Sequence, residues 1–214
     1  LGAFAAFKPF ATNYVGVDCD EDGMLMDELE KILKNTPKAK MIYVIPNFQN
    51  PSGRTWSLER RKMLLELATK YDLPILEDNA YGEVRFEGER IPSIKSIDTE
   101  GRVIYLGSFS KILSPGLRVG WACADKEVIL KYELVKNGLD LQSAELAQMQ
   151  VDGFLEENDL DEHIAKINSV YKERRDIMLK TIDEEFPKEA KYFYPKGGMF
   201  IWVELPSHVN TREL

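Results

Sequence analysis

Apolar positions along the chain follow two periods. Short unbroken runs at Met41–Ile45 (MIYVI), Leu73–Leu76 and Val103–Leu106 have the length and composition of strands buried on both faces. Between them the spacing widens to that of a helix face. Leu25, Leu29, Ile32 and Leu33 share one side of a helix over Leu25–Leu33, and Leu64, Leu67, Ala68 and Tyr71 share another, opened by Ser57 as N-cap. Residues 12–18 read as a short strand and Val119–Ala124 as a further one. Downstream the pattern is helical: Leu130–Val135, Leu141–Leu155, and a long helix from Leu160 to Phe186 with the stripe Ile164, Ile167, Tyr171, Met178 and Ile182. Asp159 with Glu162 three residues later resembles a capping box at its start. Tyr192–Tyr194 and Met199–Leu205 flank Pro195-Lys196-Gly197-Gly198 as a hairpin-like pair.

Strands alternating with helices predict α/β architecture, here part of a mostly parallel sheet flanked by helices and followed by the start of a small α+β domain. The expected division is 1–160 for the first domain and 161–214 for the linking helix and the start of the second. With 214 residues, 44% hydrophobic and 30% charged, the chain has material for one sizeable core. It opens on Leu1 in what reads as mid-domain sequence, and is expected to be a piece of a longer protein.

Each predicted core strand empties into a polar loop: Pro46–Gly53 (PNFQNPSG), Glu77–Tyr81 (EDNAY) and Ser108–Arg118. Ligands of α/β sheets sit at such strand ends. In the third loop Ser108, Ser110 and Arg118 are anion-binding side chains around Lys111, and Pro115-Gly116 bends the chain back towards it. A phosphate beside an amine would fit. Taken singly, each residue has a blander use: Lys111 a solvated lysine, Asp78 a helix cap, Tyr81 a core aromatic, Asn50 a turn residue.

Charge narrows the partners. A net charge of -8 argues against a nucleic-acid or anionic-membrane surface, and no apolar run reaches the roughly 20 residues of a spanning helix. Cys19 and Cys123 are far apart, and His163 and His208 do not sit near them, so neither a disulfide nor a metal site is expected; His163, among Asp161 and Glu162, reads as a surface residue.

Read together, NPSG at Asn50–Gly53, EDNAY at Glu77–Tyr81 and SFSK followed by LRVGW, in that order from Asn50 to Trp121, closely resemble the fold-type I pyridoxal-phosphate enzymes of the aspartate aminotransferase superfamily. PNFQNPSG, Arg60-Arg61 and GGMF at Gly197–Phe200 resemble especially the branch of kynurenine and 2-aminoadipate aminotransferases. The resemblance implies catalytic roles for Lys111, Asp78 and Tyr81. Lys111 would form the Schiff base with pyridoxal 5'-phosphate and move the Cα proton. Asp78 would pair with the pyridine nitrogen, Tyr81 and Asn50 would bond the phenolic oxygen, and Ser108, Ser110 and Arg118 would take the phosphate. It also implies transfer of an amino group from an L-amino acid to a 2-oxo acid, in a cytoplasmic homodimer. A lyase or synthase of the same fold, or the aminotransferase-like sensing domain of a transcription regulator, are the alternatives. The family's large sheet holds more strands than are readable here, and strands from an upstream segment are expected among them.

Overall fold

The computed structural model describes residues 2–213. In chain order it runs α1 (Gly2–Phe7), β1 (Cys19–Asp20), β2 (Gly23–Met24), α2 (Met26–Asn35), β3 (Ile42–Val44), α3 (Leu58–Lys70), β4 (Ile75–Asp78), α4 (Ile94–Ile97), β5 (Val103–Ser108) and β6 (Gly120–Cys123). Helices α5 (Lys126–Leu139), α6 (Glu145–Glu157) and α7 (Leu160–Glu185) follow, then β7 (Lys191–Tyr192) and β8 (Val203–Glu204).

A four-stranded sheet in the order β3-β4-β5-β6 carries the fold. β3, β4 and β5 are parallel, and β6 returns antiparallel along β5. The expected interleaving of upstream strands is therefore wrong. Neighbours within the sheet are already hydrogen-bonded to one another, so any further strand can join only outside β3 or β6. Period-2 alternation sorts the two faces. Ile42 and Val44, Ile75 and Glu77, and Val103 point into the core, where they meet Leu29 and Leu33 of α2, Leu64 and Ala68 of α3, and Ile94 of α4. Tyr43, Leu76, Asp78 and Leu106 lie on the opposite, half-buried face.

Several expectations shift by a few residues. Residues 13–18 are irregular, and the first pairing is the short β1-β2 hairpin. β4 begins later than predicted and runs to Asp78, and β5 reaches Ser108, so both strands end on site residues. Ser57 caps α3 as predicted, its side chain accepting from Arg60 N. Asp159 caps α7 by accepting from the amides of Asp161 and Glu162. Of the predicted α7 stripe, Ile182 is buried and Ile164, Ile167 and Tyr171 are half-buried, whereas Met178 is 57% exposed and Arg175 and Leu179 complete the buried face. His163 is half-buried, edge-on to Phe154 at 5.2 Å, and not the surface residue expected. Helices α5 and α6 bury little: Leu134, Leu139 and Leu146 are 72%, 80% and 70% exposed. Among the described residues no helix is long and apolar enough to cross a membrane.

Two charged side chains with 0% exposure lie within this core, Arg61 and Glu77. Arg61 occupies an inward position of α3 that the apolar pattern had skipped. Its guanidinium donates to Asn47 Oδ1 at 2.7 Å and to the carbonyls of Pro46, Trp56 and Pro92. Burial pulls its pKa down to about 10, which leaves it charged at neutral pH. Glu77 accepts from the amides of Ile94 and Lys95 at 3.0 and 2.8 Å, so the first turn of α4 supplies the donors its carboxyl needs. Burial nonetheless raises its pKa.

The C-terminal segment is tied to the loop after β4. Phe86 N and Glu87 N donate to Lys196 O, Gly198 N donates to Val84 O at 2.6 Å, and Arg85 bridges to Gly197. A Cβ on Gly197 would stand 2.4 Å from the Phe48 ring and from Val84 O, so only glycine allows this approach. From α7, Arg175 donates to Glu87 and to Pro195 O, and Asn168 Nδ2 donates to Glu83 O at 3.0 Å.

Arg61→Leu is expected to lower stability by about 3 kcal/mol, the scale of stranding buried acceptors, in equilibrium urea unfolding; a loss below about 1 kcal/mol contradicts this. A second expectation concerns acid. The Arg175 hydrogen bond holds Glu87 below its ordinary value, against a smaller opposing effect of burial. Its folded pKa lies below the unfolded one, so its stabilisation is present above about pH 4.3 and fades as pH falls through the folded value. The melting-temperature advantage of wild type over Glu87→Gln should shrink steadily from about pH 6 to about pH 3. A difference independent of pH would show that the ion pair contributes nothing.

Candidate active site

The strand ends place the candidate residues. β3 leads into residues 46–53, which carry Asn50; β4 ends on Asp78, with Tyr81 in the turn beyond; β5 ends on Ser108, with Ser110 and Lys111 in the turn after it. Because the three strands are parallel and adjacent, these loops emerge side by side at one edge of the sheet.

Asn50 Nδ2 donates to Tyr81 Oη at 3.4 Å, joining the first two loops. Lys111 Nζ stands 6.0 Å from the Tyr81 ring centroid, which brings the third loop to the same point. Ser108 Oγ accepts from Ser110 N at 3.1 Å, a local turn that orients both serines ahead of Lys111. Arg118 has a left-handed backbone, φ 55°, and is exposed, its Nη1 donating to Pro115 O at 3.2 Å. No carboxylate pairs with it among the described residues, so its charge is available to an anion. The structure thus brings Asn50, Tyr81 and Lys111 together directly; Asp78, Ser108 and Ser110 share the same strand ends, and Arg118 sits at the turn into β6.

Tyr81 is also packed edge-on against Phe200 at 5.5 Å, so the GGMF segment reaches the site. This contact depends on the backbone pairing of residues 84–87 with 196–198, and the motif alone did not disclose it.

Beneath the loops runs a polar chain that the sequence reading did not use. Asn47 Nδ2 donates to Asn79 Oδ1 at 2.6 Å, and Asn79 Nδ2 donates to Tyr105 Oη at 2.6 Å. Arg61 anchors the chain at Asn47. It links the segments just past β3 and β4 to the middle of β5. Tyr43 adds a further bond, its Oη donating to Asp78 Oδ2 at 2.7 Å. Tyr43 had been read only as part of an apolar strand; a tyrosine on the face shared with Asp78 was the available signal.

The amine of Lys111, the carboxylate of Asp78, the Tyr81 hydroxyl and the Arg118 guanidinium are a nucleophile, an anion, a polarisable donor and an anion receptor. No group of His, Cys, Asp and Glu suited to a metal ion occurs among the described residues, and both cysteines are free and exposed.

Residues 10–214 match the family model described as aminotransferase class I and II. The chain is 47% identical over 99% of its length to aromatic-amino-acid aminotransferase 1 of Thermococcus litoralis, covering 52% of that protein. It is 41% identical over its whole length to the 2-aminoadipate transaminase of Thermus thermophilus, covering 54% of that protein. The crystal structure of kynurenine aminotransferase from Pyrococcus horikoshii superposes with a TM-score of 0.94 at 42% identity, covering 99% of this chain and 53% of that one. The chain spans about half the length of these relatives, and with one side of the sheet, its strand-end loops and its motifs all in agreement, it belongs to the class I and II aminotransferases.

Proposed function

We propose that the full-length protein is a pyridoxal-phosphate-dependent aminotransferase that moves an amino group from an L-amino acid to a 2-oxo acid, with this chain supplying Lys111, Asp78, Tyr81, Asn50, Ser108, Ser110 and Arg118 to the site. The observation that supports it most is the meeting of three strand-end loops at Tyr81, with the Asn50 amide and the Lys111 amine both beside it. Identity of 47% to a relative named as an aromatic-amino-acid aminotransferase favours the transferase over a lyase or a sensing domain.

The residues fit the cofactor's chemistry. Bound pyridoxal phosphate supplies an aldehyde for the amino group and a ring that withdraws electrons from Cα. Lys111 would hold that group and take or return the proton at Cα, a role suited to an amine in a half-buried setting. Asp78 would face the pyridine nitrogen and keep its proton in place. Tyr81 and Asn50 would stabilise the phenolic oxygen as an anion. Arg118 would clamp the phosphate with a permanently charged fork, and Ser108 and Ser110 would add hydroxyl donors.

On this reading residues 1–160 are part of the cofactor-binding domain, and 161–214 are the linking helix and the start of the smaller domain. The protein works in the cytoplasm as a homodimer. The exposed leucines of α5 and α6 support a partner surface, since apolar area of this kind is normally covered.

Borohydride reduction of the full-length holoprotein is expected to fix pyridoxal phosphate to Lys111, read by peptide mapping; label on any other lysine overturns the assignment. Asp78→Asn should retain cofactor while slowing amino transfer on the order of 100-fold, the scale of losing one preorganised charge. Near-normal turnover in that variant removes Asp78 from the role.

A further inference from the structure

Tyr43 lies outside every motif that pointed to the site, yet it holds the one hydrogen bond recorded for the Asp78 side chain, Oη to Oδ2 at 2.7 Å. The sheet register produces this contact. Tyr43 stands level with Leu76, and Asp78 is two residues further along the same face of β4. The phenol therefore leans along the strand direction and meets the carboxylate from the sheet side. Phe7 packs edge-on against the Tyr43 ring at 6.4 Å and limits its swing. Among the described residues Asp78 Oδ1 accepts no hydrogen bond.

The terminal torsion of an aspartate is broad and nearly two-fold, so the backbone alone does not set the plane of its carboxylate. A donor on one oxygen does. We propose that Tyr43 is the positioning residue of Asp78: by holding Oδ2 it fixes the carboxylate plane and presents Oδ1 to the ring nitrogen of the cofactor. This rests on the role of Asp78 proposed above. Burial, and then the Asp78 carboxylate it bonds, raise the Tyr43 hydroxyl above the ordinary tyrosine value, so Tyr43 stays a donor at working pH. A carboxylate held in that plane keeps its contact with the ring nitrogen, and so the proton there.

The test uses the full-length protein loaded with pyridoxal phosphate labelled with nitrogen-15 in the ring, as wild type, Tyr43→Phe, Asp78→Ala and the double variant. Tyr43→Phe keeps the ring and its packing. It is expected to move the nitrogen resonance towards the unprotonated form and to release cofactor on the order of 10-fold faster, with kcat falling by a similar factor and KM little changed. In the Asp78→Ala background the same substitution should leave the release rate unaltered, because its effect acts through the carboxylate. A Tyr43→Phe protein indistinguishable from wild type overturns the proposal. So does an equal effect in both backgrounds, which marks Tyr43 as strand packing only. Wild type that takes up no cofactor, or carries it on another lysine, overturns the functional reading and this proposal with it, a result distinct from both of the others.

Discussion

One buried guanidinium sets the geometry on which the site depends. Arg61 is enclosed by carbonyls of three segments and by Asn47, and through Asn47 its hold extends to Asn79 and Tyr105. Asn47 and Asn79 lie just past β3 and β4, and Tyr105 lies within β5. Parallel pairing is slightly less stable per residue than antiparallel pairing, and a slide of one strand against the next breaks its ladder. A polar chain running between them resists such slides, since any displacement strands a buried donor or acceptor. Asn50, Asp78 and Lys111 thus start from strand ends whose relative heights are fixed before any ligand arrives.

Charge inside the core serves the same end. Glu77 faces the core between Asp78 and the β4 interior, and its carboxyl is met by backbone amides of α4, not by an ion-pair partner in contact. Consecutive residues of β4 therefore carry a structural acid and a candidate site acid on opposite faces. Glu77 docks a helix and so anchors the strand; Asp78 lies on the face that carries Tyr43. Two adjacent carboxylates remain compatible because the pleat separates them and each has its own donor.

Much of this was legible in the sequence. The strand runs MIYVI and VIYL and the Ser57 cap located the sheet and α3, and NPSG, EDNAY and SFSK located the loops. Three features were not legible, each for a physical reason. The register of β3 against β4 is a property of pairing between strands, so a tyrosine in an apolar run gave no sign that it reaches Asp78. Arg61 sits at an inward helical position, and an apolar periodicity reads such a charge as an interruption of the face. On α7 the apolar stripe passed over Arg175, which belongs to the buried face, stacked on Phe86 and Tyr194 and bonded to Pro195 O. The contiguity of the sheet, too, is a pairing fact that no single strand announces.

The backbone pairing of residues 84–87 with 196–198 has a mechanical consequence. Gly198 N to Val84 O, and Lys196 O to Phe86 N and Glu87 N, form a clasp closed by the contact of Gly197 with Phe48. Phe200 lies just past the clasp, against Tyr81. The C-terminal segment is thus tied to the turn that holds Tyr81, and α7 is tied to the same loop through Arg175 and Asn168. Residues 84–87, residues 196–200 and the facing side of α7 are therefore one mechanical unit, in which no part can be displaced without carrying the others.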